Sequence, residues 1–307
     1  MLHQSKLIKK TRVSALVLSV GNITTGGTGK TSVTRYLAQR FHEKGKKVVI
    51  ISHGVSGMRS GLTVSDGKDI LAGADKAGDE AYLLARALPG IPVLSGRRRE
   101  RLAGVACKDF GAEVVILDDA FHALRLARDH DILVFNCLNP LGNGRLLPTG
   151  PLREPLFNLR RADIFWLNHV DLVHKKELEK IRERLLKYNR QAQVVQSYYR
   201  YRWFQSLSGK RLPKEIISGK KVWVCAGIGE PDSFIKKVEG CGAEIKGKTI
   251  FPDHHFYGLS EIEGIPMEKV DFLVITEKDS VRFPKTEFAD RVIYPFFELD
   301  VEGFDLC

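Results

Sequence analysis

Gly21-Asn-Ile-Thr-Thr-Gly26-Gly27-Thr28-Gly29-Lys30-Thr31 is the stretch whose reading decides the fold. An apolar run, Ser14–Val20, precedes it. Apolar residues at helical spacing (Val33, Tyr36, Leu37, Phe41) follow it, and Gly45 fits the helix end. A β-branched run, Val48–Ile51, comes next. Strand, glycine loop, helix and strand in that order make a βαβ unit, which requires a parallel sheet. Glycines let successive backbone N–H groups turn toward a phosphate, and the helix N-terminus adds positive potential. Gly26, Gly27, Thr28, Gly29, Lys30, Thr31 and Ser32 are therefore expected to bind nucleotide phosphates. Lys30 would reach the β- and γ-phosphates, and the Thr31 hydroxyl would ligate Mg2+. Thr24 stands where the strict pattern has glycine.

The alternation continues outward. Asp79–Leu88 and Arg98–Phe110 read as helices. Glu113–Leu117, Asp131–Phe135 and Asp163–Leu167 read as buried parallel strands, and the Gly/Pro-rich stretch 139–155 as a shaped loop. A charged helix, Lys175–Tyr188, opens the second half. Strands are expected there at Val194–Tyr198, Val222–Ala226, Ala243–Ile250 and Phe272–Ile275. A helix, Asp232–Glu239, follows Gly227-Ile-Gly-Glu-Pro231. The expected fold is α/β: a P-loop NTPase-type, mostly parallel sheet flanked by helices, with a second, smaller α/β domain. The boundary is placed near Val170, giving 1–169 as the P-loop kinase domain and 170–307 as a domain that closes the active-site cleft.

Composition excludes several classes. The 307 residues are 43% hydrophobic and 28% charged, which is ordinary for a globular protein. The longest apolar run, Val13–Val20, is too short to span a membrane, and no secretory signal is visible. Five scattered cysteines without a CxxC pair suggest incidental thiols in a reducing compartment. The net charge of +11 predicts an anionic partner: nucleic acid, an acidic membrane surface or a phosphorylated substrate.

Further residues carry chemistry. Val114-Val-Ile-Leu-Asp118-Asp119 is an apolar strand ending in two carboxylates, one suited to a metal and its neighbour to proton transfer. Phe251-Pro-Asp253-His254-His255 suits proton relay rather than metal binding, because no other His or Cys spacing completes a metal site. Arg97-Arg98-Arg99-Glu100-Arg101 is either a phosphate clamp or a solvated helix face. Arg153, in Pro151-Leu-Arg-Glu-Pro155, can aim a guanidinium from a rigid loop. Thr276-Glu-Lys278-Asp279 is a weaker signal. Tyr198–Phe204 interleaves aromatics with arginines, as a nucleic-acid platform would, and as a packed strand would equally.

These motifs together resemble the tetraacyldisaccharide 4′-kinase (lipid A 4′-kinase) family. The similar stretches are SVGNITTGGTGKTSVTRYLA (19–38), AGDEAYLLA (77–85), VILDDAF (115–121), LLPTGPLREPL (146–156) with RRAD (160–163), IFPDHH (250–255) and TEKD (276–279). The family itself has Ser or Thr at the position of Thr24. The resemblance implies a membrane-associated kinase that uses ATP and Mg2+ to phosphorylate the 4′-hydroxyl of an acylated glucosamine disaccharide 1-phosphate. It implies peripheral attachment to the anionic, cytoplasmic side of the bacterial inner membrane, with no transmembrane helix. A monomer and no nucleic-acid partner are expected. Carried over by motif, Lys30 and Thr31 hold phosphate and Mg2+, and Asp118 is the metal-associated acid. Asp119 and His254 form the catalytic acid–histidine pair, Asp79 is a further active-site acid, and Arg153 binds phosphate. Arg98 matches a further arginine.

The chain also departs from the family pattern. His53 and Val55 replace an arginine and a tyrosine in Ser52-His-Gly-Val55, and His122-Ala123 replaces Gln-His after Phe121. The segment before the first strand is short and basic, with Leu2, Leu7 and Ile8. Two alternatives therefore stay open: a kinase of the same fold with another acceptor, and a catalytically weakened nucleotide-binding paralogue.

Overall fold

Buried runs rich in Val, Leu and Ile form the central strands on which everything else is mounted. The computed structural model describes residues 10–55, 61–229, 231–253 and 255–304. The first five elements are β1 (Leu16–Gly21), α1 (Lys30–Glu43), β2 (Val48–Ser52), β3 (Leu62–Ser65) and α2 (Ala74–Ala77). Then come α3 (Asp79–Ala87), β4 (Val93–Ser95), α4 (Arg99–Phe110), β5 (Val114–Leu117), β6 (His130–Asn136) and β7 (Ile164–Asn168). α5 (Lys175–Leu186) and β8 (Gln193–Ser206) follow. In the first of two compact units the strand order is β8-β7-β6-β1-β5-β2-β4-β3. All neighbours are parallel except β3, which runs antiparallel to β4.

Helices cover both faces of this sheet, as a parallel sheet demands. On one face, Leu18, Val20, Ile50, Ile116 and Trp166 pack with Val33 and Leu37 of α1 and Ala81 and Leu84 of α3. On the other, Val17, Ile51, Val115 and Leu117 pack with Leu102, Ala103 and Ala106 of α4. Phe121, Phe135 and Phe165 form a third cluster with Ile181 and Leu185 of α5. Burying each such side chain stabilises by about 1.5–3 kcal/mol.

The second unit spans Tyr199–Glu298. It contains β9 (Arg211–Pro213), β10 (Lys221–Ala226), α6 (Pro231–Gly240), β11 (Glu244–Ile250), α7 (Leu259–Glu263), β12 (Phe272–Val274) and β13 (Val292–Glu302). Its strand order is β11-β10-β12-β13-β8, with β9 antiparallel on β8. Phe234, Ile235 and Val238 of α6 pack on Val222, Val224, Val274 and Ile293.

The division falls at Tyr198, not near Val170, and the chain returns to the first unit at Leu299. The reason is packing. Ile181 and Leu185 of α5 belong to the first core, and β8 begins as the edge partner of β7. The returning segment lays Leu299, Val301 and Phe304 on that core, with the Phe304 ring 5.2 Å from Trp166. β8 also runs eight residues beyond the expected Tyr198 end. Its aromatics stack on those of β13: Trp203 lies 4.2 Å from Phe296, and Tyr201 lies 5.6 Å from Phe297. Cys107, Cys137, Cys225 and Cys241 are free thiols.

The ends of β1 and β5 lie side by side, with Leu18 opposite Ile116 and Ser19 opposite Leu117. Behind them a Cβ at Gly21 would sit 2.6 Å from Phe121 Cβ and 2.7 Å from its backbone nitrogen. Gly21→Ala is therefore expected to destabilise the fold by about 1–3 kcal/mol, the usual range for overpacking. Urea denaturation checks this. A wild-type midpoint would mean that the turn after β5 yields.

Candidate active site

α1 begins directly after Gly29, whose φ of 88° places it in the left-handed region that glycine reaches without strain. Gly26 also has positive φ, and Cβ atoms added at Gly26 or Gly27 would meet nothing within 4 Å. The loop thus presents backbone to open space at a helix N-terminus. Asn22 pins it by donating from Nδ2 to the Thr24 carbonyl at 2.8 Å and accepting Lys30 Nζ at 3.1 Å. Asn168 donates to the Thr28 carbonyl at 3.1 Å. Lys30 is mostly buried. Burial pushes its ammonium below the ordinary lysine range, and the charges of Asp119 and Asp118 partly offset this.

The two carboxylates after β5 sit in opposite environments. Asp118 is 2% exposed, and among the described residues no cation pairs with it. Thr34 Oγ1 donates to its Oδ1 at 2.8 Å, and Ser52 Oγ lies 3.5 Å from Oδ2. Burial, reinforced by the charge of Glu80, pushes its carboxyl up to about 6. Asp119 adopts φ 47°, a conformation that costs a non-glycine residue about 1 kcal/mol or more. Its Oδ2 takes Arg153 at 3.2 Å, and its Oδ1 lies 3.7 Å from Lys30 Nζ. Burial raises this carboxyl too, but Lys30 and Arg153 outweigh burial and hold it below the usual range. Two adjacent acids with opposed environments are a recurring mark of divided chemical roles.

Arg153 is aimed by its own backbone. Its N–H donates to Ile23 O at 2.7 Å, and Thr25 N–H donates to Pro151 O at 2.7 Å, so the shaped loop pairs with the glycine loop. Arg99 is 6% exposed and donates to the backbone carbonyls of Asp118 and Asp119 at 3.1 and 2.9 Å. Within the arginine run it is thus Arg99 that reaches the two acids, whereas Arg98 is exposed at the N-cap of α4. Asp79 starts α3 after Gly78 and is half-buried. Glu80 beside it acts by charge on Asp118, Lys30 and His53. Burial and the charge of Arg99 hold the His53 imidazole below its ordinary range.

Thr34 lies in the stretch 19–38 with no role assigned, Arg99 stands out only as one of the arginine run and Glu80 only within AGDEAYLLA. Thr34 falls in the buried stripe Val33–Leu37–Ala38, where a hydroxyl needs a partner. That was the available signal. Thr31 and Ser32 lie half-buried in the first turn of α1.

In the second unit, His254 lies outside the described residues. His255 is committed locally: its Nε2 is 2.9 Å from Glu261 Oε2, and its ring stacks on Phe251 at 4.4 Å. Asp279, fully buried, accepts from Thr276 at 2.6 Å, Arg282 at 2.9 Å and Gly227 N–H at 3.2 Å. The Thr276–Asp279 motif therefore ties down the Gly227 loop before α6.

The unpaired Asp118 carboxylate, with Asp119 Oδ1 and Thr28 Oγ1 buried without hydrogen-bond partners, fits a hard dication brought in with phosphate. Mg2+ is commonly held by one or two carboxylates together with phosphate oxygens, and Asp118 and Asp119 can supply that share. A carboxyl titrating at about 6 instead of 3.8 costs the metal-free fold about 3 kcal/mol at neutral pH. The native state holds this proton more tightly than the unfolded chain, so the cost is complete above about pH 6 and fades towards pH 4. Asp118→Asn should raise the unfolding midpoint of the metal-free protein in chelator at about pH 8. The gain should shrink as pH falls through 6. Thermal unfolding at several pH values checks both.

The profile of the LpxK family, tetraacyldisaccharide-1-P 4′-kinase, matches residues 1–303. A tetraacyldisaccharide 4′-kinase of Halothermothrix orenii is 38% identical over 304 residues, covering 94% of this chain and 79% of the relative. One of Anaeromyxobacter is 38% identical over 293 residues, with the same coverage. The crystal structure of LpxK from Aquifex aeolicus, described as an "apo" form in complex with ATP, matches with a TM-score of 0.79 at 29% identity. The match covers 98% of this chain and 89% of that one. With strand order, glycine loop and paired acids all in place, the chain belongs to the tetraacyldisaccharide-1-P 4′-kinase family.

Proposed function

We propose that this chain transfers the γ-phosphoryl group of ATP to the 4′-hydroxyl of a tetraacylated glucosamine disaccharide 1-phosphate, a step of lipid A biosynthesis. The observation that carries the reading is the convergence of Lys30, Asp118, Asp119 and Arg153 at the adjoining ends of β1 and β5. Phosphoryl transfer depends on positioning and charge neutralisation more than on covalent chemistry by the protein. The backbone of Gly26–Gly29 and the Lys30 ammonium bind the β- and γ-phosphates, with Thr31 and Ser32 at the helix start. Asp118 and the Thr31 hydroxyl hold Mg2+, which neutralises phosphate charge when bound. Arg153 meets the transferred phosphoryl group.

Asp119 receives the proton of the acceptor hydroxyl. Lys30 and Arg153 both press on its carboxylate in the nucleotide-free protein, which makes it a weak base. Phosphate draws the two cations away, so Asp119 gains basicity as ATP arrives. Asp79 and His254 are assigned to the same proton transfer on the strength of the AGDEA and FPDHH motifs, and a positioned acid–base pair contributes about 10²–10⁴-fold.

The net charge of +11 and the basic residues around Leu7 and Ile8 support peripheral attachment to an anionic membrane surface, on the cytoplasmic side where ATP is available. None of the described helices is long and apolar enough to cross a membrane. A monomer completes the reading. One observation favours a second acceptor: His53, Val55, His122 and Ala123 replace family residues around the site.

Incubation with γ-labelled ATP, Mg2+ and tetraacyldisaccharide 1-phosphate in detergent micelles tests the proposal. Label is expected on the lipid and is expected to fall by about 10²–10³-fold in Lys30→Ala, the usual cost of one charge-stabilising group. No label with ATP binding intact would transfer the fold to another acceptor. Asp119→Ala and His254→Ala should each lower turnover far more than ATP affinity. An equal loss of both would remove them from proton transfer.

A further inference from the structure

Arg153 and Glu154 are consecutive, and both reach the turn that follows β5. Arg153 takes Asp119 Oδ2 at 3.2 Å, and Glu154 Oε1 lies 2.5 Å from His122 Nδ1. The other oxygen of Glu154 is also filled, by Asn158 Nδ2 and Arg161, each at 2.7 Å. Arg161 lies over the Phe121 ring at 4.1 Å, and Phe121 fills the space that Gly21 leaves. Prolines flank the pair at Pro151 and Pro155, and Arg153 N–H is held by Ile23 O. The turn 119–122 and the segment 153–154 are thus stapled twice. One staple is catalytic on the proposed reading; the other, His122–Glu154, lies outside it.

We propose that His122 is a positioning residue for phosphoryl transfer. By engaging Glu154, it fixes the segment that carries Arg153 and keeps the Glu154 carboxylate from competing with Asp119 for that guanidinium. Either protonation state of His122 can donate Nδ1–H to Glu154, so the staple does not require a charged imidazole. Without His122, Glu154 Oε1 loses its donor. That oxygen, one residue from Arg153, is then open to the guanidinium while Oε2 stays with Asn158 and Arg161, and the guanidinium is drawn off the phosphate site. This rests on the proposed kinase function.

Small displacements of a positioned group can cost up to about a hundredfold in rate, so a loss of about tenfold in kcat is expected for His122→Ala. His122→Gln keeps an N–H donor at similar reach and should restore most of it. Glu154→Gln, of unchanged size, should fall in the same direction and serves if His122→Ala unfolds. The deciding measurement is the double mutant. In an Arg153→Ala background, His122→Ala should cost nothing more, whereas a purely structural role would cost the same factor again. The ratio of ATP to ADP affinity needs no acceptor. It should fall in His122→Ala as it does in Arg153→Ala. Wild-type kcat in His122→Ala, additive losses, or no rescue by glutamine would each overturn the proposal. A wild-type protein that prefers ATP but labels no lipid fails the proposed function alone, and the nucleotide ratios then decide the role of His122.

Discussion

The close approach of Phe121 to Gly21 is the constraint on which the site depends. β5 ends beside β1, and the chain must turn at once because Ala120 N–H bonds back to Val20 O. Only a residue without Cβ at position 21 lets Phe121 enter there. The turn is tight enough to push Asp119 into the left-handed region. That strain is offset by Arg99, which caps the carbonyls of both aspartates from a buried position. As a result two successive carboxylates both come within electrostatic reach of Lys30, although successive residues of an ordinary strand point to opposite faces.

The same geometry divides the electrostatics. Asp118 turns inward to Thr34 on α1 and finds hydroxyls without a cation. Asp119 turns towards Lys30 and Arg153 and finds two cations. A buried carboxylate with neutral partners lowers stability, and a fold optimised for stability alone would not keep it. Its placement one residue from an ionised acid, at the mouth of a helix N-terminus, makes sense if a dication and phosphates complete the charge balance. Asp118 is therefore the one of the two acids whose charge the protein itself leaves without an ion-pair partner among the described residues.

Local signals were legible in the sequence to the extent that they were self-contained. The glycine loop, α1, the buried runs of β1, β2, β5, β6 and β7, and the acids after β5 follow from period, composition and motif alone. β3, β4 and β13 were not found. Three or four residues carry no usable period, and Val292–Glu302 mixes Pro295 and acids into an apolar run. Tyr198–Phe204 could be read two ways until β13 supplied the aromatic partners. The boundary failed for a related reason: α5 looks like a solvated charged helix, and only its Ile181 and Leu185 stripe reveals which core it serves. At the site, Lys30, Asp119 and Arg153, each carried by a motif, lie together in the first unit, whereas Arg98 does not join them. The motifs do not say that Thr34 or Glu80 acts there, or which of the arginine run does, because such roles depend on what stands across from them.

The departures from the family pattern can be weighed in the same terms. Ala123 is half-buried against the cluster under α4, and Ala120 is fully buried in it, so both serve as apolar packing. His122 is different, because its ring enters a filled network with Glu154 and Arg161 that borders the reacting groups. His53 is different again: it stands within electrostatic reach of Arg99, Arg97, Asp119 and Glu80, and partial desolvation with the charge of Arg99 holds its imidazole below the ordinary range. A neutral imidazole can donate one hydrogen bond or accept one, but it cannot form a bidentate ion pair. The cations acting on His53 are Arg99 and Arg97, whereas Arg153 and Lys30 act on Asp119 after β5. On the proposed reading, charge at the phosphate site then depends on Lys30 and Arg153, and so on the backbone bond from Arg153 N–H to Ile23 O that aims the guanidinium.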